Sequence, residues 1–298
     1  MTGDMPQSRN YPPTPALSAY IARHYVFSID ASADLMMIDH LLAETAFARL
    51  LLRGDWGAET SPGEWTNIGP AVFFGPNSRP MRVRVRGGFR VVGIAFCPAG
   101  WRALSETPVD RFTDRMVPLS EVLGPRAQAL LSDVVAVDRE DEQGDAAIIA
   151  AIEHHIAALL DERGRGEPEA AMQRFEEIAR NESTTLVRDA AAALGLTQRQ
   201  LERRCLASFG MSPKAVLRRS RFLDMAAAMR GLSHPGDLEV AALRFYDQPQ
   251  LIREFRHFIT MTPRQFTKTP TPLLTAGLEL RNSRKAQDAA RRREAQRA

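Results

Sequence analysis

Leu196-Thr-Gln-Arg-Gln-Leu-Glu-Arg-Arg-Cys205, followed by Met211-Ser-Pro213, returns fifty residues later as Tyr246-Asp-Gln-Pro-Gln-Leu-Ile-Arg-Glu-Phe255 and Met261-Thr-Pro263. At that offset Gln198, Gln200, Leu201, Arg203, Met211 and Pro213 recur as Gln248, Gln250, Leu251, Arg253, Met261 and Pro263. Upstream of the turn the offset is forty-nine, Ala192-Ala193-Leu194 falling on Ala241-Ala242-Leu243, so the second copy carries one more residue there. A solenoid needs at least about three stacked units to close a continuous core. Two copies read instead as two helix-turn-helix units on one chain.

The residues inside each copy carry that reading. Ser183-Thr-Thr supplies helix-capping groups, Leu186, Val187, Ala190, Ala191 and Leu194 form an inner face, and Gly195 closes the helix. Thr197 caps the next helix, where Leu201, Cys205 and Phe209 fall on one face and Gln198, Arg199, Glu202 and Arg203 on the other. In the second copy Leu251, Phe255 and Ile259 point inward while Gln248, Gln250, Arg253 and Arg256 look outward. An apolar inside with a basic, amide-rich outside is what a helix needs to read the major groove. Between the copies, Pro213 opens a helix that runs to Arg230 before Gly231. At about 1.5 Å per residue it spans roughly 27 Å, a strut able to hold two recognition helices about one DNA turn apart.

Charge divides the chain in the same place. Residues 1–182 carry 18 Lys/Arg against 26 Asp/Glu, residues 183–268 carry 14 against 7, and residues 281–298 carry 7 against 2. A near-neutral total of +3 therefore hides an acidic first half and a basic second half, the footprint of a nucleic-acid-binding part joined to a part with another task. With 44% hydrophobic and 25% charged residues, the 298-residue chain has the material for two globular domains. No stretch approaches an apolar membrane span and the N-terminus lacks a signal pattern, so no membrane partner and a cytoplasmic location are expected. Cys97 and Cys205 are the only cysteines, too few for a disulfide framework or a cysteine-rich metal site.

The first half reads as short strands cut by turns. Val72-Phe73-Phe74, Met81 to Arg86 and Arg90 to Phe96 are strand-like, with Gly87-Gly88 suited to a hairpin turn between the last two. Pro98 to Trp101 starts a helical stretch, and Pro125 to about Val137 and Ala146 to Leu160 have helical apolar spacing. The expected class is α+β: an N-terminal, mostly antiparallel β domain, sandwich or barrel-like, with helices, then an all-α domain of two helix-turn-helix units joined by a linker helix. The boundaries are 11–180, β-rich to about 117, then 183–270, then a basic tail over 271–298 read as a frayed helix or disordered arm. The frayed or disordered part of that tail is Arg281 to Arg297, a source of nonspecific DNA affinity in that reading.

Gly195, Ser212-Pro213, Arg221-Phe222, Asp247-Gln248, Leu251, Arg253, Phe255 and Thr262-Pro263 together resemble the DNA-binding domain of the AraC/XylS family of bacterial transcription regulators, over about Thr184 to Lys268. The resemblance implies a sequence-specific regulator of transcription, an activator in the usual case, with double-stranded DNA and RNA polymerase as partners. By position and β-rich text the N-terminal region is similar to the sensing or oligomerisation domains that precede such domains, which implies a small-molecule effector or a homodimer. The chain departs from the family pattern at Arg244, where the second turn usually has glycine, at Val216 and Cys205, which are smaller than the usual aromatics, and at Pro249, which has no N–H for DNA.

The candidate DNA contacts are Gln198, Arg199, Gln200, Arg203, Arg221, Gln248, Gln250 and Arg253, each weighed against a solvated or internally paired side chain. An outward arginine reaches guanine with two hydrogen bonds or grips a phosphate. Lys214, Arg218, Arg219 and Arg221 on the linker helix face the intervening phosphates in this reading. Arg82, Arg84 and Arg86 share one sheet face, either solvating it or, inside a barrel, lining an anion site. Trp56, Trp65 and Trp101 are read as core. His154-His155 lack the spacing of a metal pair, and no phosphate loop, nucleophile elbow or zinc-protease motif is present, so no cofactor and no enzyme activity are expected. Two alternatives stand beside the regulator: a DNA-targeted enzyme of the alkyl-transfer repair type, and a dimeric regulator that needs no effector.

Overall fold

The computed structural model describes residues 7–42, 45–139, 144–164, 166–233 and 248–297. Ala241 to Leu243, Arg244 and Asp247 lie outside the described residues, so the extra residue and the missing glycine of the second turn are left there.

The N-terminal half is one antiparallel sheet of eight strands: β1 Gln7–Tyr11, β2 Ile21–Ile29, β3 Met36–Leu41, β4 Phe47–Ser61, β5 Glu64–Thr66, β6 Ala71–Phe74, β7 Met81–Phe96 and β8 Met116–Pro118. The order is β1-β2-β7-β4-β6-β8, with β3 on β7 and β5 on β4. The expected hairpin at Gly87-Gly88 is absent. Met81 to Phe96 is a single strand whose first half pairs with β3 and whose second half pairs with β2, while β4 runs along both. Gly87, at φ 66, bends the strand where the β4 register slips, and its N–H is taken by the Leu35 carbonyl at 2.8 Å. A bulge of this kind serves the same glycine that a turn would.

From Phe89 to Phe96 almost every residue of β7 is buried, because both faces of the sheet are covered. Val92, Ile94 and Phe96 join Phe73 and Trp101 in a core closed by the helices α1 Trp101–Leu104, α2 Ser120–Leu123, α3 Arg126–Arg139 and α4 Asp145–Glu162. Phe89, Val91 and Ala95 turn the other way, into a second core with Phe47, Trp56 and Phe74. Val83 and Val85 enter that core, and Arg82 and Arg84 stand on the outer face, flanking the Trp65 ring with guanidinium carbons 5.6 and 4.9 Å from its centre. Trp65 is the one tryptophan outside the core.

The second half is helical: α5 Ala170–Asn181, α6 Val187–Ala193, α7 Gln198–Phe209, α8 Pro213–Met229, α9 Gln248–Ile259, α10 Pro263–Lys268 and α11 Pro272–Arg297. The helix expected from Ser183 starts later, at Val187. The Ser183 hydroxyl is instead buried against Asp224, 3.1 Å away. α5 had no counterpart in the sequence reading, yet its Met172, Phe175 and Ile178 fill the first unit's core, where Phe175 meets Phe209 edge-on at 5.5 Å. That helix compensates for the small Cys205.

The linker helix belongs to both units. Val216 and Leu217 lie in the first unit's core, whereas Phe222, Leu223 and Met225 lie in the second's with Phe255, Phe258 and Phe266. α11 packs as a helix, burying Leu274, Leu278 and Arg281 at spacings of four and three. No helix among the described residues is long and apolar enough to cross a membrane.

Candidate nucleic-acid interface and the cavity behind it

In the first unit the turn is made by Gly195 at φ 65, with the N–H groups of Gly195 and Leu196 returning to the carbonyls of Ala192 and Ala191 at 3.0 and 2.9 Å. This closes α6 and aims α7 across it. Thr197 and Gln200 then form a reciprocal capping box, each side chain accepting from the other's backbone N–H at 3.2 and 2.9 Å. Gln200 therefore spends its carboxamide oxygen on the helix start, leaving only its NH₂ group for a base edge. Gln198, Arg199, Glu202 and Arg203 are exposed on one stripe of α7.

The second unit repeats the stripe with Gln248 and Arg253 exposed and Gln250 half-buried on α9. Arg203 and Arg253 are at equivalent positions, and neither forms an ion pair among the described residues. Glu254, a candidate partner for Arg253, is taken by Arg218, whose Nε lies 2.8 Å from its carboxylate. The linker cations depart from the phosphate-contact reading for the same reason. Arg218 is paired, Arg219 is 2% exposed and donates to the Asn77 carbonyl at 3.1 Å, and Arg221 donates to the Ser183 carbonyl at 2.7 Å. Because α8 is wrapped by both cores, only Lys214 of the four is fully exposed.

Both units meet the N-terminal domain at the cap of their recognition helix. Gly210, at φ 72, ends α7, and its carbonyl accepts from Thr113 at 2.8 Å. Fifty residues on, Thr260 ends α9 at φ 57, and its hydroxyl lies 3.0 Å from His40 Nε2 on β3. That hydroxyl gives its own hydrogen to the Ile259 carbonyl at 2.7 Å, so it accepts from the His40 Nε2–H. Burial, with Arg82 nearby, pushes the His40 pKa down.

Behind this interface a cavity of about 140 Å³ lies between the sheet and the helical half. Tyr25, Phe27 and Phe47 line it from the sheet, and Leu223, Leu274 and Leu278 from the helices. Arg49 also faces it, 4% exposed, with its guanidinium carbon 5.4 to 5.9 Å from the ring centres of Tyr25, Phe47 and Phe74. Its polar partner among the described residues is the Tyr25 hydroxyl at 3.3 Å, and no carboxylate pairs with it there. The two thiols are buried, Cys205 in the first unit's core: burial, with Glu176 nearby, pushes Cys97 up to about 12, and burial raises Cys205 as well. His155 pairs with Asp133 at 2.7 Å, and no cluster of three metal-ligating side chains occurs among the described residues.

Residues 9–118 match a domain family of unknown function, and residues 190–269 match a helix-turn-helix domain family. No curated protein sequence matches the chain. Among solved structures it is similar to ToxT from Vibrio cholerae in its P21 crystal form, with 12% identity over 88% of this chain and 98% of that one and a TM-score of 0.46. ToxT bound to an unsaturated fatty acid gives 10% identity over 82% and 94% with a TM-score of 0.43. The AraC-like transcriptional activator CuxR gives 14% identity over 73% and 85% with a TM-score of 0.27. With its glycine-turned first unit, shared linker helix and second copy of the exposed stripe, the chain carries an AraC-type helix-turn-helix domain over residues 190–269.

Proposed function

We propose that the protein is a sequence-specific DNA-binding regulator of transcription whose N-terminal half holds a small-molecule effector. The observation that carries the DNA reading is the pair Arg203 and Arg253, equivalent in the two copies, exposed, and without an ion pair among the described residues. Gln198, Arg199 and Gln248 flank them, and the Gln200 and Gln250 amides lie at the helix starts. Internal contacts engage Arg218, Arg219 and Arg221, whereas Arg199, Arg203 and Arg253 on the two recognition helices stay exposed. Selection on random duplex DNA tests the reading: one short site should emerge, bound with an affinity that falls steeply as salt rises. Binding of equal strength to every sequence would defeat it.

The effector reading rests on Arg49. Buried charges in proteins are normally paired, and this one has no carboxylate partner among the described residues where it faces the cavity beside the rings of Tyr25 and Phe47. The ligand that fits has an apolar body and an anionic group. The alkyl-transfer alternative loses support, since it needs an accessible thiolate and both thiols are buried with raised pKa values.

A further inference from the structure

At about 140 Å³ the cavity is well below the roughly 300–1,000 Å³ of sites that take drug-sized ligands. An apolar cavity near 150 Å³ admits about a benzene ring. A larger occupant therefore requires one wall to move. The sheet wall is fixed, because β2 and β4 are hydrogen-bonded to neighbours along both edges.

The opposite wall is α11, and it is held largely by side chains. Asp39 on β3 accepts from the Leu273 N–H at 2.6 Å, tying the first turn to the sheet. Arg281 and Lys285 reach Asp224 on α8 at 3.2 and 2.7 Å. Asp288 accepts from Arg180 and Asn181 on α5 at 2.7 and 2.9 Å. The helix also gives Leu274 and Leu278 to the core of the second unit.

We propose that α11 is the movable wall of the cavity, a C-terminal strap that an occupant lodged on Arg49 pushes away from the sheet, loosening the second helix-turn-helix unit from β3. This rests on the cavity being the effector site. Displacing α11 pulls on Asp224 of the linker helix and removes apolar contacts from the second core. That unit's remaining ties to the N-terminal domain then include His40 to Thr260, His257 to Ser78 and Leu42 in its core, while the first unit keeps Thr113 to Gly210 and Asn77 to Arg219. Occupancy thus bears most directly on the second reading unit, whose core holds Leu274 and Leu278.

The test uses the full chain and anilinonaphthalene sulfonate, an anion on an apolar body whose fluorescence rises in dry sites. Saturable binding weakened at least about tenfold by Arg49→Met identifies the cavity. With the probe bound, amide hydrogen exchange in α11 and α9 should rise at least about tenfold, while β7 and α7 are unchanged. Arg49-dependent binding with α11 amides equally or better protected would overturn the strap and leave the effector reading standing. If the wild type does not bind but the full-length Lys285→Ala/Asp288→Ala variant does, with α11 exchange raised, α11 is the seal and the proposal is supported. Binding by neither would overturn the effector reading and the strap together.

Discussion

Gly210 and Thr260 occupy equivalent positions in the two copies, each the left-handed cap of a recognition helix and each a point where its unit touches the N-terminal domain. The first cap is closely crowded. A Cβ on Gly210 would run into the Thr113 hydroxyl and lie 3.1 Å from Pro76 Cγ, whereas one on Gly195 would meet nothing within 4 Å. Both sites have positive φ, so alanine is strained at either, by about 1 kcal/mol. Gly210→Ala should lose more stability, about 2–3 kcal/mol in urea unfolding, because steric conflict adds to the strain. Equal losses from Gly195→Ala and Gly210→Ala would show that the crowding relaxes without cost.

Asp39 sets a pH dependence. Burial raises its pKa from 3.8 to about 6, against the opposing effect of hydrogen bonds from the His40, Leu273 and Leu274 N–H groups and of nearby Arg230. A carboxyl with a higher pKa folded than unfolded binds its proton more tightly in the native state. Its contribution to stability is therefore present below about pH 4 and is lost as pH rises through about 6. Relative to Asp39→Asn, the wild type should lose about 1–3 kcal/mol between pH 4.5 and 7.5, whatever the offset between them at either end. A constant difference across that range would remove Asp39 as the cause.

The buried thiols give a third expectation. Cys97 is 8% exposed and Cys205 fully buried. Aromatic disulfide reagents should label both only through opening of the structure, at rates that rise with added urea and fall short of a free thiol by at least about a hundredfold. Fast labelling of Cys97 in the folded chain, or a methyl-group mass increase on it after incubation with methylated DNA, would revive the alkyl-transfer reading.

What the sequence made legible follows from which forces act locally. The repeat, the Gly195 turn, the Thr197 cap and the inner faces of α7 and α9 depend on spacing within a dozen residues, so they could be read directly. The burial of Arg219 and the internal bond of Arg221 depend on α8 being wrapped by two cores, which no window on α8 reveals. Gln200 was legible as a capping residue, since threonine followed three positions later by glutamine is the signature. Leu274 and Leu278 gave α11 a weak stripe, but its partners, Asp39 and Asp224, are remote in sequence. Gly87-Gly88 was ambiguous in principle, because a bulge and a hairpin turn both call for glycine.

The two copies are equal in layout and unequal in what they offer DNA. α7 begins Gln198-Arg199, both exposed and both keeping a backbone N–H; α9 begins Gln248-Pro249, where the proline removes one donor and an arginine is missing from the second position. The first unit should therefore supply more base discrimination than the second. Arg203→Ala is expected to cost about 1–3 kcal/mol at one or two base pairs while affinity for unrelated DNA changes little, and Arg253→Ala to cost less. Arg199→Ala should behave like Arg203→Ala, since the two lie one turn apart on the same stripe. Parallel alanine scans of α7 and α9 on one selected site, each read against a scrambled site and at two salt concentrations, separate base contacts from phosphate contacts. A uniform loss on both sites with a shallower salt dependence would make Arg203 a phosphate contact, and equal or larger losses across α9 would reverse the order of the two units.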